Sequence, residues 1–320
     1  MKKRFGRRCV GLGVMFALAS CGGGGGSSGV TPQPTITTPT TNPAPNPTPP
    51  PTPPASYPSA TDYSANFTFA SSVGYASDRF MPNQSGTSTG LGVYLLPEDQ
   101  STRLAFTAQP EEVRFSYAGA EFTWTGSERQ PGGGQRNYLR DMDRLILGFA
   151  SSVSTTYVTE ATWLSYMGPM ELNGVAGRRL RLSAGIVGAP TSSADIPSGG
   201  ANYRGASFIL GGLQSDQFTN QVDSTGSIEI RFGDTVSGGI AVYDRNATSV
   251  AASANSILFT GQFDRSTGLL TGTLSSAPAG FTGTFRGRLF GPGGKEIGVA
   301  FKLQRASDRA ELVGEFIGSR

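Results

Sequence analysis

Histidine is absent from this 320-residue chain, and only two cysteines occur, Cys9 and Cys21. Without an imidazole there is no Ser-His-Asp triad, no Cys-His pair and almost no route to a catalytic zinc site. Charge is sparse as well, at 15% of residues. The one continuous apolar stretch near the start, Val10 to Ala19, is too short to span a bilayer as a permanent helix.

That stretch follows a basic head of Lys2, Lys3, Arg4, Arg7 and Arg8 and ends in Leu18-Ala19-Ser20-Cys21, a lipobox. Charge, apolar core, small residues and cysteine stand in the order of a bacterial lipoprotein signal peptide, which assigns residues 1–20 to a leader and Cys21 to lipidation, palmitate included. A secretory leader with a chance cysteine is the plainer alternative. Cleavage before Cys21 removes Cys9, so the mature chain keeps no free thiol, and disulfides and cysteine catalysis are both excluded. Gly22 rather than Asp follows the cysteine, which by analogy with enteric bacteria favours the outer membrane, with the lipid as the sole membrane contact. Five of the 26 basic residues belong to the leader, leaving 21 against 23 acidic ones, a net −2. The basic pI of about 8.9 is thus mostly a property of the leader and gives no ground for nucleic-acid binding.

Residues 21–60 are Gly-rich and then Pro- and Thr-rich, with 12 of the 21 prolines between Pro32 and Pro58. Such a composition has little to bury and favours solvated polyproline II, a semi-rigid tether with a reach of about 80 Å. An ordinary low-complexity linker fits the same residues.

Residues 61–190 suggest a mostly β module. Short strands are expected at Leu91–Leu96, Arg103–Thr107, Val113–Tyr117, Glu121–Thr125, Thr155–Tyr166 and Arg179–Ala184. A short helix is expected where Leu139, Met142, Ile146 and Phe149 follow a helical spacing. From residue 191 to residue 320 the pattern becomes regular, with eight strands at about Tyr203–Leu210, Ser227–Phe232, Val236–Tyr243, Ile257–Phe263, Leu269–Leu274, Thr282–Phe290, Glu296–Leu303 and Glu311–Ile317. Phe281, Phe285 and Leu289 alternate with polar residues, as do Ile228, Ile230 and Phe232, so one sheet face is apolar. Short links between eight antiparallel strands imply an up-and-down barrel whose lumen the apolar side chains fill. The fold class expected is all-β, an eight-stranded antiparallel barrel preceded by an irregular β module with a short helix.

Two blocks carry a family resemblance. Leu289-Phe290-Gly291-Pro292-Gly293-Gly294-Lys295-Glu296-Ile297-Gly298-Val299-Ala300-Phe301 resembles the Phe-Tyr-Gly-Pro-x-Ala-x-Glu-x-Gly-Gly-x-Phe signature near the end of the barrel in transferrin-binding-protein-like lipoproteins of Gram-negative bacteria. Gly188-Ala189-Pro190-Thr191, followed by Asp195-Ile196-Pro197-Ser198-Gly199-Gly200-Ala201-Asn202-Tyr203-Arg204-Gly205, is similar to the segment that introduces their first barrel strand. Gly294 replaces the family's Ala, and Val299 its second Gly. The resemblance implies that residues 61–190 are the β handle preceding the barrel. It also implies capture of a host protein, or of a solute such as an iron source, through handle and barrel loops.

Tested against chemistry, other motifs are weak. Gly86-Thr87-Ser88-Thr89-Gly90 matches a nucleophile elbow in form but has no base. Gly291 to Glu296 lacks the spacing and hydroxyl of a phosphate loop. Asp141 and Asp143, flanked by Arg140 and Arg144, are two carboxylates without a third, so no metal site and no cofactor is assigned. Arg178, Arg179 and Arg181 suit an anion clamp or a solvated sheet face equally. Tyr157, Trp163, Tyr166 and Met167 in the handle are the binding candidates, since exposed aromatics and Met adapt to partner surfaces, although a buried cluster suits the same residues. No enzyme activity is expected. A lipocalin-like carrier of haem or another hydrophobic solute, a glycosidase with two convergent carboxylates, and a structural envelope lipoprotein remain as rival readings.

Overall fold

The computed structural model describes residues 56–320 apart from 85–87, 133–134, 149–152, 213–218, 232–233 and 243–255. The leader, Cys21 and most of the tether lie outside the described residues, as do Gly86, Thr87, Phe149, Phe232 and Tyr243.

Ten strands build the handle: β1 (Phe67–Ser71), β2 (Gly74–Pro82), β3 (Thr89–Leu95), β4 (Thr102–Ala108), β5 (Glu111–Tyr117), β6 (Ala120–Thr125), β7 (Arg136–Arg140), β8 (Asp143–Leu147), β9 (Val158–Leu172) and β10 (Val175–Gly188). They form a four-stranded sheet, β1-β4-β5-β6, and a six-stranded one, β3-β2-β10-β9-β8-β7. Phe67, Phe69, Leu104, Phe106, Phe115 and Trp124 from the smaller sheet meet Tyr138, Leu145, Leu147, Ala161 and Val187 from the larger in one buried core. The period-2 alternation of these residues, BeBeB in β1, is what turns one face of each sheet inward.

The helix expected around Leu139 and Ile146 is not there. Arg136–Arg140 and Asp143–Leu147 pair as a tight antiparallel hairpin, with Arg140 opposite Asp143. Asp141 turns the chain in a left-handed conformation, φ 53°, which a short polar side chain tolerates. Tyr138, Leu145 and Leu147 are buried and Leu139 is exposed, so the alternation of a strand outweighs a helical spacing carried by only a few residues. Among the described residues the only helical segments are short 3-10 turns.

The barrel comprises β11 (Ala201–Gly212), β12 (Thr219–Ile230), β13 (Thr235–Ala241), β14 (Ser256–Asp264), β15 (Leu269–Ser276), β16 (Phe281–Phe290), β17 (Glu296–Arg305) and β18 (Ala310–Ser319). Neighbours in sequence pair antiparallel, and β18 pairs with β11 to close the ring. Tyr203, Ile228, Phe259, Phe285, Ile297, Phe301 and Phe316 belong to a single buried cluster that fills the lumen. The Phe285 ring lies against lumen-facing Gly261 and Gly272, where an added Cβ would come within 2.8 and 2.7 Å of it. Glycine here makes space for an aromatic ring that an eight-stranded barrel could not otherwise enclose.

The outer wall of the barrel is also buried where the handle covers it. Phe290, Ala300, Val313, Ile317 and Leu210 form one cluster with Val73, just ahead of β2, and with Tyr75, Val158, Ala184 and Ile186 of the larger handle sheet. A side chain added at the lumen glycines should overpack the barrel: Gly272→Val is expected to destabilise the chain by about 1–3 kcal/mol. Chemical unfolding followed by tryptophan fluorescence checks this; an unchanged midpoint would mean that the Phe285 ring has room to move.

Candidate binding surface

The two sequence blocks that carry the resemblance meet at the handle–barrel junction. Pro190 bridges Phe290, the Gly291 N–H donates to the Ala189 carbonyl at 2.8 Å, and the Thr191 hydroxyl donates to the Gly291 carbonyl at 2.8 Å. Gly291 adopts φ 75°, and a Cβ there would fall 2.4 Å from the Tyr157 ring. The Tyr203 hydroxyl donates to the Gly294 carbonyl at 2.7 Å.

Glu296 completes the clamp. Its carboxylate, 2% exposed, accepts the backbone N–H groups of Thr156, Tyr157 and Val158 at 2.8, 2.8 and 2.9 Å. Three charge-assisted bonds offset the cost of placing this charge in the interior, and they fix the point where β9 leaves the barrel. Gly298, two residues on, lets the wall approach the handle, since a Cβ would sit 2.4 Å from the Ile186 methyl. The signature is therefore a joint, with Gly291, Gly294, Glu296 and Gly298 buried and Pro292 and Lys295 left exposed.

The four candidates from the sequence separate in space. Tyr157 is half-buried at the joint, edge-on to Tyr57 at 6.3 Å. Trp163 packs into the handle core beside Phe122 and Trp124, with ring centroids 5.8 and 5.9 Å away. Tyr166 and Met167 are exposed, but a register shift in β9 parts them, and the Ser165 hydroxyl reaches the Met167 sulfur at 3.6 Å on the other side of the strand.

Tyr166 has companions that the sequence reading did not single out. It lies opposite Leu180, and its backbone N–H donates to Asp143 at 2.8 Å. Arg178 reaches the Met142 sulfur at 3.0 Å and the Met81 sulfur at 3.3 Å. Leu139 pairs with Arg144, which pairs with Leu164. Together these residues make a largely apolar patch that also holds the Arg178 and Arg144 guanidiniums, on a part of the six-stranded sheet away from the joint. The missed signal was the β7–β8 hairpin, which delivers Leu139 and Met142 to this face.

The remaining candidates have structural duties. Arg179 and Arg181 bind the buried Asp78 carboxylate, Arg181 at 2.7 Å. Burial pushes the Asp78 carboxyl up, but its bonds to Arg181 and Arg179 outweigh this and hold it below the ordinary value. Stability from this site is thus present at neutral pH and lost as the pH falls below the usual carboxylate range. Asp141 forms the turn, and among the described residues no group of three or more acidic side chains could hold a metal ion. Between the handle and barrel lies a groove of about 210 Å³ lined by Leu95, Glu98, Gly272 and Arg286.

The joint yields a quantitative expectation. Glu296→Ala strands three backbone donors, that of Val158 buried, and should cost about 1–3 kcal/mol, whereas Glu296→Gln, still an acceptor, should cost less. Hydrogen exchange checks it: the amides of Thr156, Tyr157 and Val158 should lose protection first in the alanine variant.

No protein-family model matches the chain, and no curated protein does. Among solved structures, the chain is similar to the isotype 1 transferrin binding protein B from serogroup B Neisseria meningitidis, at 11% identity and TM-score 0.33, over 80% of this chain and 77% of that one. It is similar to a single-substitution mutant of transferrin binding protein B from Actinobacillus pleuropneumoniae H49, at 10% identity and TM-score 0.37, over 78% and 99%. It is also similar to a protein with unknown function from the DUF3598 family, from Nostoc punctiforme, at 11% identity and TM-score 0.24, over 82% and 97%.

Proposed function

We propose that this chain is a lipid-anchored binding protein of the outer membrane, which captures a host protein or an iron-bearing solute with the distal part of its handle. The observation that carries the reading is the exposed patch of Leu139, Met142 and Tyr166, 42, 42 and 37% accessible, around Arg178. Large apolar groups seldom gather on a free surface without a partner, and aromatic, Met and Arg side chains are enriched where partners bind. The lipobox at Cys21 supplies the anchor, and the Pro-rich tether supplies reach. A carrier that held its solute in the lumen would have to displace Phe259, Phe285, Phe301 and Phe316, all fully or almost fully buried there.

The test is capture from host plasma by the immobilised full-length chain, with mass spectrometry, iron and haem analysis of the eluate. Replacing both Met142 and Tyr166 with Asp should lower the affinity for the captured partner at least tenfold, with the melting temperature unchanged. Undiminished capture by that variant would move the site elsewhere, and no capture by the wild type would favour a structural role in the envelope. Anchoring is checked separately: Cys21→Ser should abolish incorporation of labelled palmitate and release the chain from membranes.

A further inference from the structure

Glu315 points outward from the barrel on β18, between Val313 and Ile317, and it is fully buried. Its cross-strand neighbours are Ala300 of β17 and Phe208 of β11, neither of which can pair with a carboxyl side chain. Among the described residues its oxygens meet no N–H or hydroxyl donor. What faces them from the handle is the carboxyl of Glu160 on β9, itself 8% exposed and bonded by the Thr162 hydroxyl. Tyr75 of β2 closes the same space, its hydroxyl likewise buried.

Most of the cations around this seam have other engagements. Lys302 is 2.9 Å from Glu311 and donates to the Val93 carbonyl, while Arg286 is bound to Glu98. Arg79 of β2 acts on Tyr75, and Tyr117 of β5 is a further buried phenol near it. Among the described residues neither carboxyl group takes part in an ion pair, and Arg288 on the same wall, its Nε buried without a partner, is bonded to neither. Two such groups cannot both ionise without a large penalty, whereas one proton held between them makes a short, strong hydrogen bond.

We infer that Glu160 and Glu315 hold one proton between them across the handle–barrel seam, so that the seam is a pH-sensitive joint, tightest in mild acid and weakened as the medium turns alkaline. Burial, with Glu160 alongside, pushes the Glu315 carboxyl well up, and burial raises Glu160 as well. A carboxyl raised in the folded state stabilises fully below its unfolded value, and this contribution drains away as the pH climbs toward the folded one. The sign is opposite to that of Asp78, so the two effects separate in a titration. The inference holds whatever partner the handle captures.

Melting temperatures of the full-length wild type, Glu315→Gln and Glu160→Gln, measured from about pH 5 to about pH 9, test it. Glutamine keeps a donor to the facing carboxyl and carries no titratable proton. The Glu315→Gln curve should decline less steeply than the wild type and lie about 2–4 °C above it at alkaline pH. Parallel curves would overturn the inference. Infrared spectroscopy of the wild type gives a second reading that needs no variant to fold: with carbon-13-labelled glutamate, a protonated carboxyl band should persist at neutral pH. A spectrum showing only ionised carboxylates there would equally overturn it.

Discussion

The structure depends on one surface being buried twice. The wall formed by β16, β17, β18 and β11 presents Phe285, Ile297, Phe301 and Phe316 to the lumen and Phe290, Ala300, Val313 and Ile317 to the handle. A barrel normally keeps its outer face for solvent, so these strands would be an aggregation hazard if the handle were missing. The handle's larger sheet has the complementary need, with Tyr75, Val158, Ala184 and Ile186 to cover. Each module thus completes the other, and Glu296 fixes their alignment by holding three successive amides at the start of β9.

This arrangement decides where function can reside. A lumen filled by interlocking rings, with Phe285 seated on Gly261 and Gly272, offers no space to a solute. The joint is occupied by the chain itself. The buried carboxylates of Asp78, Glu160, Glu296 and Glu315 are each enclosed, so the two that converge, Glu160 and Glu315, lie beyond the reach of a glycosidic bond. Loops and the distal handle are what remain accessible, which is why the binding reading rests there.

The sequence revealed the barrel well because its strands alternate: a strand is present at each place expected from Tyr203 on, although β12 begins eight residues before its expected start, and the expected ends Phe232 and Tyr243 lie outside the described residues. It revealed the handle less well. Phe67–Ser71 and Gly74–Pro82 are strands, and the latter is buried along most of its length on both faces, which removes the alternation that would mark it. Leu139 to Ile146 mimicked a helix because a two-strand hairpin spans too few residues for either period to prevail. The pairing of Glu315 with Glu160 was not legible, since an alternating pattern shows which face a side chain takes but not what covers that face. The candidate surface was half legible for the same reason: Tyr166 was recognisable as an aromatic in a strand, but Met81, Met142 and Arg178 join it only through pairings between distant segments.

The way β9 ends bears on how a partner would be gripped. Beyond Leu164 the strand has no β8 neighbour, so its edge is open over the rest of the long hairpin it makes with β10. Open edges invite a further strand, yet this one is blunted. Asp143 takes the Tyr166 N–H, Pro169 has no N–H to offer, and the shift around Met167 breaks the register. Strand addition is therefore disfavoured on the same stretch that exposes Tyr166 and Met167. Recognition through side chains follows, with thioethers and a phenol that can adjust to a surface while the Tyr166 backbone stays paired to β10. Such a grip needs a rigid base, and the sheet supplies it by running, with one bulge at Met167, from the tip at Asn173 and Gly174 to the Glu296 joint.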